Sequence, residues 1–456
     1  MTARFQPQTQ ALVRSIGLFD ATMIVMGGVV GVGIFMNPSV VAGHLHSPAL
    51  ILAAWVAGGI VALFGAFIYA ELAARLPEAG GEYVYLREAI HPAAGFFYGW
   101  VALIVINGGG GAAMAVTFAE YLRLLVPVPV SDRVVGIAVL VLLTAVNCVG
   151  VRAASKVQSS LMLLRIAAVA VLAYCGARWL MHSPVARWTP LLDRPASFGL
   201  ATSFGSALIP VFFAYGGWQT ANFVAAEVRE PRKNLPRALL LGMAGVVILY
   251  LAVNLLCVRV LGAEGLAAAS APASAVMRRV AGETGARLLA AGIALSALGF
   301  LSQSVLTYPR VFYAMASDGW LPRAFAGLDS RSHAPVFAIV LSSLLAIAVL
   351  TVGRYDQILT YVESMDLFFF GLTATTLFVF RRREKRGDRA AEAGSFRAPG
   401  HPWTTLVFIA VCFLVVLNSL VRNHGNTLIT GLVLLAGAAF YLLRRPMNLR
   451  SVETKQ

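Results

Sequence analysis

The sequence predicts an all-α integral membrane protein of twelve transmembrane helices. Ten of them form two inverted five-helix repeats, and helices one and six are each broken near the middle. Three observations predict this. Twelve apolar stretches have spanning length, charge is too sparse for a water-facing exterior, and glycine clusters sit at matching depths of the first and sixth stretches.

Charge comes first. Of 456 residues, 59% are apolar and only 12% charged, and the mean hydropathy is +0.77. A soluble domain is about 25% charged, so this chain lacks the polar exterior that even a large soluble core requires. The net charge of +15 does not point to nucleic acid. Its cations sit in short clusters between apolar runs, such as Arg381, Arg382, Arg383, Lys385 and Arg386, which is how membrane proteins mark cytoplasmic loops. The four cysteines, Cys148, Cys175, Cys257 and Cys412, all lie inside apolar runs, which gives no disulfide framework. The first apolar stretch is longer than a cleaved leader's and reads as a retained span.

A span needs about 20 mostly apolar residues. The stretches fall at roughly 16–41, 49–74, 93–122, 134–150, 157–180, 199–228, 236–261, 284–308, 335–352, 358–380, 403–421 and 427–443. The expected organisation is a cytoplasmic N-terminus (1–15), a first repeat (16–180) and a second (199–380). A basic cytoplasmic loop (381–402), helices eleven and twelve (403–443) and a cytoplasmic tail (444–456) complete it. With both ends inside, 24 of the 36 Lys and Arg residues fall in cytoplasmic segments and 11 outside, as the positive-inside rule requires. The expected location is the cell membrane, plasma or bacterial inner, with lipid as the solvent. Arg381 to Arg397 reads as a solvated loop that anionic headgroups attract.

Glycine costs about 1 kcal/mol relative to alanine inside a helix, so Gly27, Gly28, Gly31 and Gly33 at one depth of span one need a reason. One reason is an unwound stretch, with free amides for a carboxylate and free carbonyls for an ammonium. A zwitterion would fit that pair of partial charges. The other is close helix packing, which the Gly27/Gly31 spacing also fits. A second cluster, Gly216-Gly217 in span six, favours the first reading, since paired breaks in the two halves mark a transporter's midplane site.

Gly27-Gly28-Val29-Val30-Gly31-Val32-Gly33-Ile34-Phe35 resembles the first-helix signature of the amino acid–polyamine–organocation superfamily. Phe213-Ala214-Tyr215-Gly216-Gly217-Trp218, with Glu227 and Pro231-Arg232-Lys233-Asn234-Leu235-Pro236, is similar to span six of its L-type amino acid transporters. Ala70-Glu71-Leu72, Gly80-Gly81-Glu82-Tyr83, Thr144-Ala145-Val146-Asn147-Cys148 and Val157-Gln158 match as well. The resemblance covers about residues 10–325 well and the rest loosely. It implies the inverted-repeat fold, alternating access, and a secondary transporter for an amino acid, either a sodium-independent exchanger or a proton-coupled permease. An amine or polyamine carrier of the same fold is the alternative, and a receptor that binds without transporting is a more distant one. The chain shows no catalytic constellation, cofactor motif or metal-ligand spacing, so no enzyme is expected.

The resemblance also places residues. The substrate backbone lies against Val29, Gly31, Val32 and Gly33 in span one and Phe213, Ala214 and Gly216 in span six, with Phe213 as an aromatic gate. Trp218, Ser304, Val105 and Ile106 match further pocket positions, although core packing is the commoner use of such aromatics. Val32 replaces a smaller residue of many relatives, and Gly108 to Gly111 thin span three, either to widen the cavity or to pack closely. The outer segment near 123–133 has no cysteine, so no disulfide-linked glycoprotein partner is expected.

Arg165, seven residues after Gln158, stands where relatives often carry a lysine in the place of a sodium ion. That implies sodium independence, and arginine, with a pKa above about 12, is a poor proton carrier. A structural arginine bonded to broken-helix carbonyls is the other reading. Asp366 in the outer half of span ten is the first candidate for a proton or for a substrate side chain, since a mid-membrane Asp costs about 2.5–3.5 kcal/mol to insert. Asp20 and Glu363 are weaker candidates. Glu71, Arg75, Glu82 and Arg87 read as a loop network.

Overall fold

Helices lie under all twelve apolar stretches. The computed structural model describes residues 12–126, 129–182, 191–192, 194–352, 355–387, 395–422 and 424–443; the expected tail and parts of the expected N-terminus and basic loop lie outside them. In chain order, the first five stretches give α1 (Leu18–Val29), α2 (Gly33–His44), α3 (Pro48–Arg75), α4 (Glu82–Ala89), α5 (Pro92–Val101), α6 (Gly111–Arg123), α7 (Asp132–Val149) and α8 (Val151–Leu180). The remainder give α9 (Phe198–Ala214), α10 (Pro231–Ala267), α11 (Pro272–Ser317), α12 (Val336–Val352), α13 (Tyr355–Lys385), α14 (Trp403–Arg422) and α15 (His424–Leu443). A π-helical segment, Ala102–Gly110, joins α5 to α6, and a 3₁₀ segment, Trp218–Glu227, follows α9.

Seven helices among the described residues are long and apolar enough to cross a membrane. The pair α1 and α2, bent by 43° at its break, makes an eighth, and Val336–Val352, Trp403–Asn418 and Gly431–Leu443 are shorter apolar helices. The protein is therefore a multi-pass membrane protein.

Start signals explain several boundaries. Proline opens α3, α5, α10 and α11, where its missing N–H costs nothing. Ser47 and Ser197 cap α3 and α9 by accepting from the amides of Leu50 and Leu200. The closest seam runs between α3 and α10, the second helices of the two expected repeats, and the next between α8 and α11.

The N-terminal end of the bundle is closed by ion pairs, those of Glu227 and Glu71 on buried carboxylates. Arg310 on α11 reaches Glu227 at the end of the 3₁₀ segment through Nε at 2.8 Å and Nη2 at 3.1 Å. Both side chains are fully buried. The backbone of Ile16 pairs with that same segment, joined to it through the Glu227 carbonyl and the Arg229 amide. Glu71, 0% exposed, accepts from Arg75, from Arg381 at 2.6 Å and from the Ala398 amide at 2.7 Å. Arg87 pairs with Asp318 at 2.5 Å.

Two sequence expectations change here. Arg381 does not stand in a solvated loop: it belongs to α13, and since a buried carboxylate needs partners it turns inward to Glu71, while Arg397 stays exposed and pairs with Glu384. Glu82 separates from the Glu71 and Arg87 networks and faces Tyr69 instead.

Removing one partner of a buried ion pair leaves an uncompensated charge, at about 3–5 kcal/mol. Arg310→Met should lose that much stability in thermal unfolding, and pairing it with Glu227→Met should restore most of it. An Arg310→Met protein as stable as the parent would contradict this account of the closed end.

Candidate functional site

Both expected breaks are present, and they touch. In span one α1 stops at Val29 and α2 starts at Gly33. Among the described residues, the amides of Val32, Gly33 and Ile34 make no backbone hydrogen bond across the gap, as expected at a helix start. In span six α9 ends at Ala214, and Gly217 turns the chain at φ 102°, a left-handed conformation that favours glycine, into the 3₁₀ segment.

The glycines divide between the two readings. Gly27 and Gly28 remain helical and serve packing. A Cβ on Gly28 would lie 2.4 Å from the Gly217 carbonyl oxygen, and one on Gly27 would lie 2.0 Å from Gln158 Nε2. Backbone thus meets backbone where the two broken helices cross. Gly31 and Gly33 belong to the break itself. A Cβ on Gly31 would meet nothing nearer than 3.9 Å, so that face is open, and Gly33 looks onto Ala214, 3.6 Å from such a Cβ.

The carbonyls released by the breaks are held by neighbours. The guanidinium of Arg165, on α8, donates from Nη1 to the oxygens of Gly27 at 3.1 Å and Val30 at 2.6 Å. A cation suits the carbonyl end of a helix. Arg165 is buried, and it fits because Gly299 on α11 has no side chain; a Cβ there would overlap Nη2 at 1.3 Å. The Tyr250 hydroxyl, from α10, is shared between the Val29 oxygen at 2.9 Å and the Ala214 oxygen at 3.0 Å. One phenol therefore ties the two breaks together. Asn37 Nδ2 donates to the Pro210 oxygen at 2.8 Å, and Gln303 Nε2 to Thr220 Oγ1 at 2.9 Å.

The structure thus brings Val29, Gly31, Val32 and Gly33 beside Ala214 and Gly216, with Phe213 half-buried in the last turn of α9. Ser304 is buried on α11, next to Gln303. Trp218 points into packing: its ring is 4.7 Å from Tyr69 and 5.6 Å from Phe370. Val105 and Ile106 stand in the π-helical segment, which packs on α12 and α13. Gly108 and Gly111 face Leu345 and Ala346, each 3.4 Å from an added Cβ, which is close packing with α12. Asp366 stands on α13, which packs on α4, and the Glu82 charge of α4 acts on it. Asp20 is occupied by Ser159 at 2.7 Å, and the side chain of Glu363 lies outside the described residues.

Sequence reasoning missed Tyr250, Gly299 and Asn37. A Tyr in an apolar span gives one weak signal, a hydroxyl that must find a partner, but not where that partner is.

A family model described as amino acid permease matches residues 16–439. The chain is 31% identical over 382 residues to the large neutral amino acids transporter small subunit 2 of Homo sapiens, covering 81% of this chain and 70% of that one. It is 28% identical over 440 residues to the serine/threonine exchanger SteT of Bacillus subtilis, covering 95% and 97%. To the b(0,+)-type amino acid transporter 1 of Mus musculus it is 26% identical over 444 residues, covering 96% and 89%.

The two roles of glycine predict opposite outcomes for one change. Gly28→Ala should drive the crossing helices apart and lower the melting temperature by several degrees, since about 1 kcal/mol moves it by about 2–4 °C in larger domains. Gly31→Ala should melt like the parent. Equal melting of the two variants would show that the helices do not cross at Gly28.

Proposed function

Because the chain belongs to the amino acid permease family, we propose that it is a secondary active amino acid transporter. It works by alternating access on twelve spans with two inverted five-helix repeats, lies in the cell membrane, and keeps both termini cytoplasmic. The observation that carries this reading is the meeting of two broken helices, with bare amides on one and carbonyl ends on the other.

The substrate carboxylate sits on the amides of Val32 and Gly33, at the positive end of α2. The ammonium sits against the carbonyl end of α9, around Phe213 and Ala214. A carbonyl oxygen has two lone pairs, so the Ala214 oxygen can accept from both Tyr250 and the ammonium. Recognition through backbone groups reads the part that all amino acids share. The names of the relatives, all amino acid transporters or exchangers, support amino acids over amines.

Arg165 supports sodium independence. Its fixed charge already occupies the space between spans one, five and eight and engages the carbonyls that a sodium ion would need. The ion pairs at the N-terminal end describe the inward-closed half of the cycle: Arg310–Glu227 and Arg87–Asp318 hold spans six and eight and the α4 segment together, and inward opening separates them. The absence of cysteine in residues 123–133 supports action without a disulfide-linked partner.

In proteoliposomes, labelled neutral amino acids should enter at the same rate with sodium or choline outside, and amino acid inside should accelerate them. Gly33→Leu should abolish both binding and uptake, because its side chain takes the place of the carboxylate. Uptake that needs a sodium gradient would contradict the role given to Arg165, and normal affinity in Gly33→Leu would contradict the site.

A further inference from the structure

One buried group is left unexplained by the two breaks. Glu82, the first residue of α4, is 0% exposed. Its Oε1 accepts the Tyr69 hydroxyl at 2.5 Å, while Oε2 is buried without a well-formed hydrogen bond, the Tyr98 hydroxyl being its polar neighbour. Asp366 on α13, a helix that packs on α4, acts on the same charge. Although Asp366 as a residue is half-buried, its Oδ1 is shut off from solvent and has no partner.

Tyrosines fill the space around the two acids. Tyr98 of α5 and Tyr308 of α11, both buried, feel both carboxyls. The hydroxyls of Tyr98 and Tyr85 are buried without a well-formed hydrogen bond. On the α14 side the neighbour is the Cys412 thiol. The Phe369 ring, 5.3 Å from that of Tyr98, closes one wall. Among the described residues, none of the groups that act on Glu82 or Asp366 is a cation.

Glu71 gives the contrast. It stands on α3 two residues from Tyr69, is as deeply buried, and is given two arginines and a backbone amide. The fold therefore supplies cations where a buried carboxylate is to stay charged. It supplies none to Glu82 and Asp366. Two carboxyls that share one dry cluster of side chains without a counter-ion each oppose the other's ionisation.

We propose that Glu82 and Asp366 together form a proton-binding site, and that filling and emptying this site is coupled to amino acid transport. With both carboxyls protonated the pair is neutral and α4 stays packed on α13. Release of the Glu82 proton to water leaves one negative charge without a counter-ion in that seam and favours its opening. Burial pushes the Glu82 carboxyl up to about 7, so that proton is held below that pH and released above it. The coupling rests on the transport reading; the proton site does not.

The test pairs infrared difference spectroscopy of the purified full chain with uptake in proteoliposomes. A carboxylic C=O band, which a carboxylate lacks, should be present near pH 6 and weaken through about pH 7, and Glu82→Gln should abolish that step. Parent uptake should fall roughly tenfold between about pH 6 and pH 8, the change in occupancy of one group titrating near 7, while Glu82→Gln should show a flat profile. Asp366→Asn should move the midpoints of the band and of the uptake profile together, and it decides the matter by the same readouts if Glu82→Gln does not fold. A band absent from the parent or unchanged in both variants, or variants that keep the parent's pH profile, would overturn the proposal. Amino acid uptake without a titrating band sinks the proton site alone; a titrating band without any amino acid uptake sinks the transport reading alone.

Discussion

Inside an apolar bundle, every backbone group that a helix releases must find another partner, and that constraint organises this molecule. Two helices break at matching depths, and their freed groups are answered from three directions. Arg165 takes two carbonyls of span one, Tyr250 is shared between one carbonyl from each break, and Asn37 takes the Pro210 carbonyl. What remains unanswered is a short run of amides at the start of α2 beside the carbonyl end of α9. A zwitterion supplies what both lack.

The same constraint explains why the surroundings are small and crowded. Gly28 and Gly217 let the two chains cross without side chains, and Gly299 leaves room for a guanidinium where a methyl would collide with it. These glycines weaken their helices individually, but each admits a partner for a buried polar group. The N-terminal end follows the rule with ions: Glu227 and Glu71 are buried only because Arg310, Arg75 and Arg381 reach them. Glu82 and Asp366 depart from it, which is why they draw the eye as a place where a proton can come and go.

Much of this was legible in the sequence. Apolar stretches of spanning length marked the helices, because in lipid the length and composition of a helix are nearly the whole signal. The breaks at 30–32 and 215–217 were legible too, since clustered glycine in a span needs a reason. Which glycine served which purpose was not: Gly27 and Gly28 pack while Gly31 and Gly33 open the chain, and only the register of the crossing helix separates them. Nor did spacing reveal that Arg381 turns back to Glu71, more than three hundred residues away, or that Glu82 leaves its neighbours' network for Tyr69. Long-range polar pairing depends on tertiary contact, and local pattern carries no trace of it.

The central claim is that bare peptide groups at the paired breaks grip the backbone of the solute. The most direct measurement is an experimentally determined structure with a bound neutral amino acid. The account predicts the carboxylate at the amides of Val32 and Gly33 and the ammonium at the carbonyl end of α9, with Arg165 still seated on Gly27 and Val30. An amino acid found elsewhere in the bundle, with that gap empty or bridged by side chains, would contradict it.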